Sequence, residues 1–366
     1  MIRPSPPPIA TASGARGRIK DRPEDFVVEE LPAYAPSGAG EHVFVRFTKT
    51  NRTTLDSIRA VARALACDPR EAGFAGMKDK RAVATQTLSI HAPSPQAAVD
   101  LAARARALVL DGIVVHEAIP HAHKLKPGHL IGNRFAVVVR GVEPEAVDQV
   151  TSGIDRVARE GVPNAYGDQR FGTRGDNAER ALAWLRGRER GPRDPRLLRL
   201  LWSSLQAAVF NAVLDVRVRD GTWATPLAGD LLKLRRSGGL FVCSDVQTDR
   251  ERAATGEVSP TGPIFGVRMQ PPEGAPAELE RQIIANVVGD GVDLTRTKAL
   301  GEGSRRALRV WVEEVSAGLV DRMDDEAGKG TASLRVCFVL PKGAYATTVL
   351  ANVLTLEPMR GEPDEE

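Results

Sequence analysis

The chain has 366 residues, 42% of them hydrophobic and 27% charged. That is the composition of a globular protein of about two domains and excludes a disordered or fibrous chain. A net charge of +3 is mildly basic and does not by itself point to nucleic acid, and the scattered cysteines Cys67, Cys243 and Cys337 lack the spacing of a disulfide framework or a zinc site.

In chain order, the first 18 or so residues are rich in Pro, Ala and Gly and read as mobile. Val43, Val45 and Phe47 alternate with Phe44, Arg46 and Thr48 and predict a strand over 41–49. Leu55, Ile58, Ala62 and Leu65 then recur at helical spacing after Thr53 and Thr54, with Pro69 as the stop. Residues 133–140 and 334–340 read as short strands. The spacing predicts helices over 197–218, 280–288 and 304–320, while 256–276 is rich in Gly and Pro and reads as a connector. The tail 361–366 is acidic and reads as disordered. The N-terminus has no apolar signal core, and no apolar run approaches 18 residues, so a cytoplasmic protein without a membrane partner is expected. Strands and helices alternate without a regular βαβ cadence, which predicts an α+β fold with a mixed or antiparallel sheet.

Basic residues cluster in four places: Arg186–Arg196, the group His121, His123, Lys124, Lys126 and His129, the group Lys233, Arg235 and Arg236, and the group Arg305, Arg306 and Arg309. Each could neutralise phosphates or be an ordinary solvated surface. Arg305 and Arg306, together with Arg170, are candidates for RNA contact.

The segment Glu71–Gln86 stands apart. Gly73 and Gly76 permit a tight backbone path, and Asp79 sits among Lys78, Lys80 and Arg81. Taken alone, this pattern suits a charged surface turn as well as a catalytic carboxylate. It is no P-loop, because the Gly-Lys-Ser/Thr ending is absent.

The run Gly76-Met77-Lys78-Asp79-Lys80-Arg81-Ala82-Val83 with Thr85-Gln86 resembles the signature of the TruD family of tRNA pseudouridine synthases. Further stretches resemble that family in the same order: Ile19–Glu30, Gly38–His42, Gly132-Asn133-Arg134-Phe135, Val162–Gly172 and Leu340–Thr347. Ala165 departs from the pattern where the family carries an aromatic, with Tyr166 supplying a ring one position on.

This resemblance implies a pseudouridine synthase catalytic domain with a mixed, largely antiparallel sheet, formed by residues 1–155 with 310–366. An α/β insertion domain would span 156–309. It implies isomerisation of uridine, expected at uridine 13 of the tRNA D-arm, with no cofactor or metal and with tRNA as the partner of a monomer. Asp79 would be the catalytic carboxylate and Lys20 the cation that keeps it charged. The target base must leave its stack to be reached. Phe135 would then stack on it and Asn133 hydrogen-bond beside it, with Phe26 and Lys78 completing the base pocket. Competing readings are a non-catalytic RNA binder and a phosphotransferase or hydrolase built on Lys78 and Asp79. The latter needs a phosphate cradle or metal ligands that the sequence does not offer.

Overall fold

The computed structural model describes residues 14–289, 292, 294–320 and 330–357. The tail 361–366 and residues 1–13 lie outside them, as do the expectations of mobility there. Of the N-terminal stretch that is described, Arg16–Gly17 pairs in parallel with Thr355–Leu356. The described chain divides into two compact units: 14–158, 312–320, 330–343 and 353–357 form the first, and 159–289, 292, 294–311 and 344–352 the second.

The first unit is built on an eight-stranded sheet among the described residues. Its strands are β1 (Phe26–Pro32), β2 (His42–Thr50), β3 (Gly73–Phe74), β4 (Val83–His91), β5 (Ile113–His121), β6 (Leu130–Val142), β7 (Glu313–Leu319) and β8 (Ala332–Pro341). Their order is β7-β8-β6-β1-β4-β2-β5, with β3 added to β4. Only β1 and β4 run parallel, and the other pairs are antiparallel. The fold is α+β with a mixed, largely antiparallel sheet, as expected.

Helices α1 (Thr54–Ala64) and α2 (Pro95–Arg106) cover one end of the sheet. Thr53 caps α1 by accepting the Asp56 N–H, and Ser94 caps α2 by accepting the Ala97 N–H. Each cap satisfies an amide that the helix start leaves unpaired. Ile58, Val61 and Leu65 from α1 and its C-terminal edge, and Ala98, Leu101 and Ala105 from α2, pack on Val43, Val45, Phe47, Leu88 and Ile90. That layer leaves the other end of the same face for β1, β6 and β8.

In the second unit, α3 (Asn177–Leu185), α4 (Pro195–Arg219) and α5 (Gly274–Val288) enclose a core containing Trp184, Trp202, Leu205 and Phe265. A four-stranded sheet runs in the order 240–242, 231–234, 258–264, 304–307. Three expectations are corrected here. First, α4 is long and apolar enough to cross a membrane by length and composition, with a mean hydropathy of 1.4 over its best window. Yet 67% of that window is buried within the protein, so its apolar surface serves as core. Second, residues 304–320 form strands rather than a helix. Leu308, Val310 and Val312 are all buried, a period of two that outweighs the helical spacing. Third, the Gly- and Pro-rich 256–276 contains the central strand Val258–Ile264. Gly262 there lies against the Phe210 ring and Leu308, with no room for a Cβ.

Candidate active site

Register fixes which side chains share the sheet face beside α1. Val28 of β1 pairs with Phe135 of β6 and Ala84 of β4, Glu30 pairs with Asn133, and Phe135 pairs with Phe338 of β8. On the other side, Lys49 of β2 pairs with Ala84 and Phe47 with Gln86. Alternation of side chains therefore puts Phe26, Glu30, Lys49, Gln86, Asn133, Phe135 and Phe338 on one face.

Two loops bring charged groups to this face. The first, residues 18–25, is anchored by Arg140 of β6, whose guanidinium donates to both oxygens of buried Asp25 at 2.9 and 2.6 Å. Within it Lys20 adopts φ +61°, a left-handed conformation that costs a residue other than glycine about 1 kcal/mol or more. The anchored loop sustains that conformation and so aims the lysine. The second loop, 75–82, is tied to the first by Arg81, which donates to the Asp21 carbonyl at 2.7 Å.

Lys20 and Asp79 meet where these loops face each other, with Nζ 2.9 Å from Oδ1. The lysine side chain is 11% exposed and the carboxylate 35%, so the acid keeps one side open to an incoming substrate. The Lys20 ammonium also lies 4.4 Å from the centre of the Phe26 ring. Phe26 meets Phe135 edge-on at 5.9 Å, and Phe135 lies 5.4 Å from Phe338. These rings form a continuous aromatic wall beside the carboxylate. In the same layer, Asn133 Oδ1 and Gln86 Nε2 are buried and have no hydrogen-bond partner among the described residues. A buried amide acceptor and a buried amide donor without partners are expensive and are the complement that the edge of a polar ring would satisfy.

Five expected residues are thus brought together: Asp79, Lys20, Phe26, Phe135 and Asn133. Lys78 stands apart from them in role. Its Nζ bonds Glu30 Oε2 at 2.7 Å, with both side chains almost fully buried (5% and 3% exposed), and Glu30 Oε1 also accepts the Thr87 N–H. Lys78 therefore braces the loop from beneath, its ammonium taken up by Glu30. Thr54 helps it by accepting the Lys78 N–H at 2.9 Å and donating to Gln86.

In the second unit, Arg305 departs from its expected place on an RNA-facing surface. Arg305 is buried in a double hydrogen bond to Glu280 (2.7 and 2.6 Å) and donates to Thr261, and burial in turn pushes the Glu280 carboxyl up. Arg306 bonds Asn164 and lies 4.1 Å from the centre of the Tyr166 ring. Arg309 stacks on Trp311 at 3.6 Å, and burial pulls its guanidinium down to about 10. Arg305 and Arg309 are buried, whereas Arg306 is half-buried. Arg170 is half-buried, 5.3 Å from the centre of the same Tyr166 ring.

Lys49 and Phe338 join the site without being marked in the sequence, and Glu30, Thr54 and Gln86 join it although the sequence assigns them no role there. Apolar and polar residues within strands carry no local sign of a site, and only pairing register brings them together. A lysine inside the alternating run of β2 is the one available signal.

A lysine-paired, partly open aspartate thus stands beside a buried aromatic cluster on a mixed sheet. Comparison with known proteins identifies the family. The family model described as tRNA pseudouridine synthase D (TruD) matches residues 8–189 and 192–353, and the chain belongs to this family. A tRNA pseudouridine synthase D from Anaeromyxobacter sp. (strain Fw109-5) is 41% identical over 372 residues, covering 98% of this chain and 99% of that protein. The one from Thermus thermophilus is 35% identical, covering 98% of this chain and 95% of that protein. A solved structure from Methanosarcina mazei, described as a TruD-type tRNA pseudouridine synthase, shares the fold with a TM-score of 0.75 at 22% identity and covers 96% of both chains.

Proposed function

We propose that this chain is a tRNA pseudouridine synthase that isomerises uridine 13 in the D-arm, with Asp79 as the catalytic carboxylate. The observation that carries the reading is the Lys20–Asp79 pair at 2.9 Å beside the Phe26–Phe135–Phe338 wall, within a chain of this family. In the reaction the N1–C1′ bond of the uridine breaks, the uracil turns, a C5–C1′ bond forms, C5 gives up its proton and N1 ends protonated. Nothing is oxidised or added. Two roles are open to the carboxylate, attack on C1′ or removal of the C2′ proton, and both require it charged and within reach of the ribose.

The ring wall offers Phe135 as the stacking surface for an extruded uracil. Asn133 Oδ1 then accepts from the ring N3–H, and Gln86 Nε2 donates to a ring carbonyl. The first unit would be the catalytic domain and the second the family's insertion domain, with Arg170 contributing to RNA contact. Mapping pseudouridine in RNA from cells lacking the protein tests the substrate assignment. Loss at position 13 of tRNA, restored by the wild-type gene, is expected. An unchanged tRNA profile would overturn the assignment.

A further inference from the structure

The side chain of Lys49 is fully buried, at 0% exposure, near the C-terminal end of β2. Burying an ammonium is expensive unless it is paired, and here its Nζ donates to the main-chain carbonyl of Asp79, a neutral acceptor. On the other side of the same turn, Thr54 accepts the Lys78 N–H. The backbone on both flanks of the Asp79 Cα is therefore fixed from below, from α1 and from β2, while the carboxylate projects to Lys20. Lys49 has no exposed surface and no place in the chemistry described above.

We propose that Lys49 is a positioning residue for the reaction, holding the peptide of Asp79 so that its carboxylate is presented at one fixed angle to the ribose. This rests on the reading of Asp79 as the catalytic carboxylate. The ionisable groups facing Lys49 are Asp79 and Lys78 on the turn and Lys20 on the opposing loop. Its strand neighbours Ala84 and Ile113 and the helix residue Thr54 carry no charge. Burial, reinforced by the two lysines and opposed by Asp79, pulls its ammonium down to about 8. The clamp thus weakens just above neutral pH, when the cation that faces both the carbonyl and the carboxylate of Asp79 is lost.

The test compares full-length wild type, Lys49→Met and Lys49→Arg in single-turnover pseudouridine formation on tRNA across about pH 6.5–9.5, a window chosen to bracket the lowered lysine value, with tRNA affinity measured alongside. In the wild type the rate of the bound complex should fall with a midpoint near 8. Lys49→Met should bind tRNA within about twofold of wild type, lose at least about 30-fold in the rate of the bound complex, and show no such inflection. Lys49→Arg keeps a cation that does not titrate in this range, so it too should lack the inflection while retaining more activity than Lys49→Met. Ionisation of the substrate is common to all three proteins and cancels. A folded Lys49→Met with wild-type rate would overturn the proposal. So would the same inflection persisting in Lys49→Arg, which decides the matter if Lys49→Met does not fold. Wild type that forms no pseudouridine at any pH would instead strike down the reading of the active site itself.

Discussion

The Lys78–Glu30 pair offers a quantitative handle on the site. Both side chains are within a few per cent of complete burial and their bonded atoms lie 2.7 Å apart. Glu30→Gln removes one charge and leaves the Lys78 ammonium desolvated without its counter-charge. Breaking a buried pair from one side typically costs about 3–5 kcal/mol. At roughly 2–4 °C per kcal/mol for a unit of this size, the first unit should melt about 10 °C lower. Removing both charges is a different perturbation, because the lost attraction is offset by the lost desolvation. The double variant Glu30→Gln/Lys78→Met should therefore regain most of the loss and stand within about 2 kcal/mol of wild type. The assay is urea and thermal unfolding of wild type, both single variants and the double variant, followed by calorimetry so that the two units can be resolved. If Glu30→Gln melts within about a degree of wild type, or the double variant loses the sum of the singles, the pair is not the buried brace described here.

Stability should also report on Lys49. With its value lowered from the ordinary 10.5 to about 8, both states hold the proton below that lowered value and the burial penalty is fully present. Between about 8 and 10.5 the folded protein releases the proton while the unfolded chain keeps it, so this group's contribution to stability rises with pH by up to about 3 kcal/mol. Lys49→Met should accordingly be more stable than wild type near neutral pH, with the gap closing as pH rises in urea titrations, and a gap that widens would contradict the burial argument. Arg305→Met should destabilise the second unit by about 3 kcal/mol or more by stranding Glu280 while leaving the salt dependence of tRNA binding unchanged. A reduced salt slope would return Arg305 to the RNA surface. Gly132→Ala should sharply lower both stability and activity, because a Cβ there would collide with the Leu340 carbonyl of β8 and push β6, with Asn133 and Phe135, out of line. Wild-type melting and rate in that variant would show that the close strand approach is unimportant.

How much of this is legible in the sequence depends on whether the cue is local. β2, α1, β8 and α4 follow from alternation, capping and helical spacing, and all lie close to their expected bounds. Residues 304–320 do not, because Leu308, Trp311 and Val315 mimic a helical stripe while the real period of two runs through Leu308, Val310 and Val312. The strand 258–264 is masked by Pro260, Gly262 and Pro263, which ordinarily argue against an interior strand. Gly262 is instead required by the ring of Phe210 packed against it.

The same division holds for the site. Asp79 and Lys20 are named through family resemblance, and Phe135 and Asn133 with them. Lys78 reads as a pocket residue because it adjoins Asp79, but its side chain turns to Glu30, a partner 48 positions away that no local pattern reveals. Arg305 and Arg306 form a basic cluster in the linear sequence, and strand pairing carries Arg305 inward to Glu280. Lys49 and Phe338 join the site only through sheet register.

The most direct test of the account is pseudouridine formation by Asp79→Asn on tRNA under single-turnover conditions. The substitution keeps the size of the side chain and its contact with Lys20 while removing the charge. Pseudouridine at position 13 should fall by at least about 10³-fold, with tRNA affinity close to wild type. Product formation within about tenfold of wild type would contradict the assignment of Asp79 as the carboxylate that performs the reaction.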